Sequence, residues 1–300
     1  MYHNPVLLKE TVDGLDIKED GIYVDVTFGG GGHSKEILKR LGQEGKLYAF
    51  DQDEDAQANA LGDPRFTLIA ENFRYITQFL KFYGIRKVDG ILADFGVSSH
   101  QFDQAERGFS TRFDADLDMR MSKRNTLSAF DVVNKYSYDD LRKVLFEYGD
   151  IRNANAMAKV IVANREEEQI QTTDALKVAL KQFLPEHRQH KILAQIYQAI
   201  RIEVNQEIAV IKEFLEQVPG LLKEKGRLSV ISYHSLEDRL VKRFIRAGQF
   251  EGEPEKDFYG NIDVPLKKVG GLIVPTREEI KENNRARSAK LRIAERNGEK

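Results

Sequence analysis

The stretch Asp25-Val-Thr-Phe-Gly-Gly-Gly-Gly-His33, followed by Tyr48-Ala-Phe-Asp-Gln-Asp53, decides the fold of this chain. An apolar extended run, Ile22 to Val26, enters four consecutive glycines and leaves into a helix-like stretch, Ser34 to Leu41. A second extended run, Lys46 to Phe50, ends on Asp51. Glycines between a strand and a helix let a ligand approach the backbone where no Cβ intervenes. An acid at the tip of the next strand, roughly 20 residues on, can accept hydrogen bonds from a ribose diol. The pattern predicts a nucleoside-containing cofactor across the first two strands of a doubly wound sheet. The bland alternative is a flexible turn with Asp51 capping the helix after it, but two matched features at this separation favour the cofactor.

The glycines alone do not choose that cofactor. In the dinucleotide frame Gly29-x-Gly31-x-x, Ser34 stands where a glycine or alanine is wanted. S-adenosylmethionine (SAM) enzymes instead turn the glycine loop toward the amino-acid part of the cofactor and carry an acid before it, and Asp25 is such an acid.

Working outward, strand-like and helix-like runs alternate. Glu54–Leu61 is a helical candidate, Phe66–Ala70 is extended, and Phe73, Ile76, Phe79, Leu80 and Tyr83 mark one apolar helix face. Val88–Asp94 is a fourth strand, again ending on an acid. Such alternation predicts βαβ units and a parallel sheet with ligands beyond the carboxyl ends of its strands. After Ser99 the rhythm stops. Residues 101–124 are rich in charge and turn formers, and Met119-Arg-Met121, behind Asp114, Asp116 and Asp118, reads either as a lid or, more simply, as a solvated loop.

From about Leu127 to Leu222 the pattern is helical, with Ser137 and Asp140 forming a capping box. Strand character returns in Gly226–Tyr233, Gly271–Val274 and Ala289–Ile293. The expected organisation is therefore a discontinuous sheet domain, 1–105 and 205–300, split by a helical insertion, 106–204, placed to recognise a substrate.

Composition narrows the function classes. The 300 residues are 41% hydrophobic and 31% charged, as in a soluble globular protein. The chain has no cysteine, which excludes disulfides, zinc-thiolate sites and cysteine nucleophiles. No apolar run approaches the roughly 20 residues of a membrane helix, and Met-Tyr-His-Asn-Pro is not a signal-peptide opening; a cytoplasmic location is expected. Net charge is −2, so no global basic field announces nucleic acid. Residues 281–300 carry seven Lys/Arg against three Glu, which charge alone reads as a solvated surface.

Two further constellations can carry chemistry. Asp94-Phe-Gly-Val-Ser-Ser99 follows the fourth strand, where a carboxylate can hold an amine in line with a methyl donor, or merely cap a turn. Ser232-Tyr-His-Ser-Leu-Glu-Asp-Arg239 joins a strand to a helix. Ser235 and Asp238 fit its N-cap and third position, and His234 overlooks the cleft, where a lone histidine is more often structural. No carboxylate-histidine set has metal spacing, and no Gly-x-Ser-x-Gly elbow occurs.

Taken together, His3-Asn-Pro-Val-Leu-Leu, Thr27-Phe-Gly-Gly-Gly-Gly-His33, Asp94-Phe-Gly-Val-Ser-Ser99, Glu106-Arg-Gly-Phe-Ser110, Leu117-Asp-Met-Arg-Met121, Ser232–Arg239 and Arg285-Ala-Arg-Ser-Ala-Lys-Leu-Arg292 resemble the ribosomal RNA small-subunit methyltransferase H (MraW) family, in order and nearly end to end. The resemblance implies an α/β fold, a class I SAM-dependent methyltransferase (Rossmann-like) sheet with an inserted helical domain. It implies SAM as cofactor and N(4)-methylation of a cytidine in the decoding region of 16S rRNA, with 16S rRNA within the 30S subunit as partner, no membrane, no metal, and a homodimer left open.

Cofactor contacts would fall on Gly31, Gly32, His33, Asp51, Phe73, Asp94 and Gln101. Asp94 would accept from the amine, with Ser98, Ser99 and His234 lining the cytosine pocket. The chain departs from the family pattern at Gly30, at His100 and across Ala194–Ala199, and it lacks the Asx-Pro-Pro-aromatic signature, since Phe95-Gly96 follows Asp94. Two rivals stay open: an NAD-linked oxidoreductase on the same strands, and a non-catalytic ribosome-assembly RNA-binding protein using Arg285, Arg287, Lys290 and Arg292 for phosphate contacts.

Overall fold

Strands β1 (Ile22–Asp25), β2 (Lys46–Phe50), β3 (Phe66–Ile69), β4 (Val88–Asp94), β5 (Leu222–Ser232), β6 (Leu266–Ile273) and β7 (Lys290–Arg296) form one sheet in the order β3-β2-β1-β4-β5-β7-β6. The computed structural model describes residues 5–98, 101–102, 104–254, 256, 258–260 and 262–298. The first five strands are parallel, while β7 runs antiparallel between β5 and β6. The central strands read as mainly apolar runs because helices cover both faces of a parallel sheet; six of the seven β4 residues are buried. Asp89, the buried acid within β4, accepts from the Ile22 amide and pairs with Lys223.

Contacts divide the chain into two compact units, one running to Gly96 and resuming at Ile208, the other spanning Val97–Glu207. In the sheet unit, Phe50, Ile91, Phe214 and Leu228 belong to one buried cluster, while Val12, Leu15, Ile37 and Leu92 belong to another. Helices α1 (Leu8–Asp13), α2 (Gly32–Arg40), α3 (Ile76–Phe82), α9 (Glu207–Leu221), α10 (Ser235–Ala247) and α11 (Arg277–Glu282) are assigned with it.

The second unit contains α4 (Ala129–Lys135), α5 (Tyr138–Gly149), α6 (Ala154–Glu167), α7 (Thr173–Ala179) and α8 (Gln189–Val204). Its core gathers Leu141, Leu145, Ile161, Ile196 and Ile200, with Val97 packed against them. The Ser137 side chain caps α5 by accepting from the Asp140 amide. The helical candidate Glu54–Leu61 is a shorter 3-10 segment, Glu54–Asn59, capped by Asp53.

The loop at residues 117–121 is not solvated. Leu117, Met119 and Met121 are buried in the helical core. Asp118 binds Arg120, whose guanidinium reaches the Asn125 carbonyl. Asn205 accepts from the Met121 amide at 2.7 Å and donates to the Met119 carbonyl at 2.8 Å. Replacing Asn205 with alanine removes both of these bonds in a buried place and is expected to cost about 1–3 kcal/mol, measured by denaturant unfolding; a loss below about 0.5 kcal/mol would show that the loop is held elsewhere.

The basic C-terminal segment is likewise built in rather than trailing. β7 lies inside the sheet, and Lys290 and Arg292 both pair with Asp238. Among the described residues no helix is long and apolar enough to cross a membrane.

Candidate active site

β1 delivers Asp25 to the start of the glycine turn. Its carboxylate is fully buried and accepts from the Ser34 hydroxyl at 2.7 Å and the Thr27 amide at 3.1 Å. Asp25 thus ties the strand end to the first turn of α2, which makes it a positioning group, and burial pushes it up to about 6. Gly31 precedes α2 with φ +73°, and a Cβ there would lie 2.8 Å from the Phe28 ring. A Cβ on Gly32 would lie 2.1 Å from Pro5. Packing within the chain already demands two of the four glycines, before any ligand is considered.

Asp51, at the tip of β2, accepts from the Gly29 amide at 2.7 Å and the Asp53 amide at 2.8 Å. Each carboxylate oxygen keeps a further lone pair for an outside donor. Burial raises this acid to about 6 despite those amides. Phe73 is half-buried, stacked on Phe95 with centroids 6.0 Å apart and edge-on to Phe214 at 5.3 Å, so its plane is fixed.

Asp94, at the tip of β4, accepts from the Tyr233 hydroxyl at 2.8 Å through Oδ1. Its own amide donates to Thr27 Oγ1 at 2.6 Å, which locks the two strand ends together. Oδ2 faces His33 Nδ1 at 3.8 Å. The opposite nitrogen, Nε2, lies 3.2 Å from the Val6 carbonyl, which can only accept and so assigns the ring proton to Nε2. Burial lowers the His33 pKa, keeping the ring neutral.

Nδ1 and Oδ2 are then two acceptors face to face, a seat for a group bearing N–H hydrogens. Burial raises Asp94 to about 6, against the lowering influence of His33 and Tyr233. Tyr233 is the residue that motif reading missed: 139 positions separate it from Asp94, and only its place beside His234 hinted at it.

His234 is the N-cap of α10, with Glu237 at the third position. The expected box on Ser235 and Asp238 is therefore corrected by one residue. His234 Nδ1 accepts from the Glu237 amide at 3.4 Å, and Nε2 lies 3.0 Å from Glu237 Oε1. Glu237 in turn accepts from the Tyr233 and His234 amides. Both ring nitrogens face Glu237, so the histidine fixes the backbone that carries Tyr233. Asp238 pairs instead with Lys290 and Arg292.

In the other unit, Ser98 and Gln101 exchange hydrogen bonds: the Ser98 amide donates to Gln101 Oε1 and the Gln101 amide to Ser98 Oγ, each at 3.1 Å. Ser99 lies outside the described residues, as does His100.

Three acids, Asp25 buried and Asp51 and Asp94 half-buried, therefore surround the glycine turn, and among the described residues no lysine or arginine is hydrogen-bonded or ion-paired to any of them. This set of acceptors fits SAM, with its sulfonium, ammonium and ribose diol, and opposes a pyrophosphate. Sheet order and acidic site together define a class I, Rossmann-like methyltransferase with SAM as cofactor, which overturns the NAD-linked reading.

The chain belongs to the MraW methylase family, whose profile matches residues 1–297. It is 72% identical over 294 residues to the ribosomal RNA small subunit methyltransferase H of Flavobacterium johnsoniae, covering 98% of this chain and 97% of that one. The protein of the same name from Christiangramia forsetii is 68% identical, covering 98% and 97%. A solved rRNA methylase structure from Streptococcus thermophilus aligns over 96% of this chain and 95% of its own at 12% identity and a TM-score of 0.43, and adds nothing to the sheet order itself.

Proposed function

We propose that this protein methylates N4 of a cytidine in the decoding region of 16S rRNA, within the 30S subunit and in the cytoplasm. The observation that carries the chemistry is the Asp94 carboxylate at the tip of β4, oriented by Tyr233 and facing neutral His33. The rRNA substrate is argued from the names of the relatives.

When bound, SAM supplies an electrophilic methyl group. The backbone at Gly31, Gly32 and His33 would hold its amino-acid part, Asp51 its ribose hydroxyls, Phe73 its adenine, and Gln101 would complete the site. An exocyclic cytosine amine is a poor nucleophile because its lone pair is conjugated with the ring. Asp94 Oδ2 accepts one amine hydrogen, returns electron density to nitrogen, and holds the proton released when the new N–C bond forms. Tyr233 donates to Oδ1 and sets the plane of the carboxylate, and Oδ2, facing the acceptor on His33, is the oxygen turned to the amine. Ser98, Ser99 and the His234 cap would line or support the base pocket, and residues 106–204 would recognise the RNA. A target base must leave its stack to reach such a site.

The Tyr233 bond holds Asp94 lower than burial alone would. In Tyr233→Phe the acid should therefore rise further, and the acidic limb of the kcat profile should move to higher pH, with kcat down about tenfold. An unmoved limb would remove Tyr233 from this role.

The direct test is labelled methyl transfer from SAM to 30S subunits taken from cells lacking the protein, read by nucleoside mass spectrometry with naked 16S rRNA in parallel. N(4)-methylcytidine on the subunits is expected. SAM binding without transfer would send the search to another acceptor, and no SAM binding would revive the assembly-protein reading.

A further inference from the structure

A second site sits away from the glycine turn, on the side of the sheet unit formed by α10, β6 and β7. There a pocket of about 240 Å³ is lined by Lys242, Ile245, Arg246, Lys268, Gly271, Arg292 and Ile293. Four of these residues are cations and none is an acid. Lys242, Arg246 and Lys268 are exposed, and among the described residues none of the three has an acidic partner. Arg292 is held by Asp238.

Like charges one helical turn apart, as in Lys242 and Arg246, repel each other. A basic end to α10 would satisfy the helix dipole, but Lys268 comes from β6 and is not explained that way. The chain as a whole carries net charge −2, so the cluster does not reflect a general excess of cations. Its walls combine the apolar Ile245 and Ile293 with the aliphatic stems of Lys242, Arg246 and Lys268, which are exposed.

We propose that this pocket binds one nucleotide of the substrate RNA at a distance from the methylated base, with the phosphodiester against Lys242, Arg246 and Lys268 and the ribose against the isoleucines. The register supports an RNA strand as occupant. Asp94 pairs with Ile231, and Ile231 with Leu291, the neighbour of Arg292. Two strand spacings, about 10 Å, thus separate the row that ends at the candidate amine acceptor from the strand that forms the pocket wall. A separation of that size across the sheet is within reach of a single RNA strand whose target base sits at Asp94. The proposal rests on the RNA substrate argued above.

The test uses the full chain loaded with S-adenosylhomocysteine and a labelled single-stranded RNA of decoding-region sequence, titrated over a range of salt. In Lys242→Gln/Arg246→Gln/Lys268→Gln the affinity should fall about tenfold or more, and the slope of log K against log salt should shrink by about 2, three contacts at about 0.7 each. A matched control, Lys46→Gln/Lys81→Gln/Arg86→Gln, removes the same charge from other exposed positions of the sheet unit and should leave the slope near wild type. S-adenosylhomocysteine affinity and thermal midpoint report folding in both variants. Wild-type methylation and RNA binding matched by the pocket variant would overturn the pocket alone. An equal loss in both variants would show only diffuse attraction, which also overturns it. A wild-type protein that neither binds RNA nor methylates 30S subunits would overturn the rRNA reading and the pocket with it.

Discussion

Replacing Asp94 with asparagine is expected to lower kcat for methyl transfer by about two to four orders of magnitude, while S-adenosylhomocysteine affinity changes far less. The amide keeps the carboxylate's shape, and its oxygen can still accept from Tyr233. Its nitrogen then faces His33 Nδ1, an acceptor, so the free protein stays satisfied. What is lost is the acceptor turned toward the amine, because an N–H now meets an N–H.

Stability should move the other way. Asp94 is raised to about 6 in the fold from an unfolded value of 3.8. Its stabilising contribution is present below 3.8 and gone above 6. At pH 7.5 the buried charge is a burden that the amide lacks, so the variant should melt higher than wild type there and lose that advantage near pH 4. Single-turnover transfer and thermal melts at the two pH values check both halves. Turnover within threefold of wild type would end the acceptor assignment.

Asp51→Ala should weaken SAM binding by about 100-fold. Two charge-assisted hydrogen bonds to a ribose diol, taken at the low end of about 1.5 kcal/mol each, give about 3 kcal/mol. The alanine also frees the Gly29 and Asp53 amides, which loosens the turn itself. In the wild type, Asp51, Asp25 and Asp94 all lie near 6 when no cation is bound. A cationic ligand favours their ionised forms, so affinity should fall as pH drops through 6, and binding at pH 6 should release protons to the buffer. Calorimetry in buffers of different ionisation enthalpy reads the proton count. Proton uptake, or a Kd within threefold for the alanine variant, would contradict the arrangement.

The parallel strands were legible because burial on both faces writes each of them as a mainly apolar run between turn signals. Lys46–Phe50 and Val88–Asp94 begin and end where the pattern puts them. β6 was harder. Its start, Leu266-Lys-Lys-Val, is an edge with exposed lysines, the device that protects a sheet edge and disguises the strand. The 117–121 loop carried a signal that charge density hid: Leu117, Met119 and Met121 alternate with charged residues, and all three are buried.

The site divides in the same way. The glycines and the strand-tip acids stand in local motifs and could be named. Tyr233 could not, since its partner is on another strand. The cap lies on His234, and the motif points to Ser235 instead because a histidine is an uncommon N-cap and a serine is the expected one.

The sheet is completed by residues that lie far apart along the chain, and this sets an order of events during synthesis. When Val88–Asp94 leaves the ribosome, its neighbour β5 has not been made, and the whole Val97–Glu207 unit is translated first. At about 5–20 residues per second that interval is on the order of ten seconds. Throughout it a strand whose residues are nearly all destined for burial presents an unpaired edge, while the helical unit has a core of its own. The newborn protein is thus most exposed to wrong pairing in its middle third, and the nascent chain passes out of danger only when Leu222–Ser232 docks.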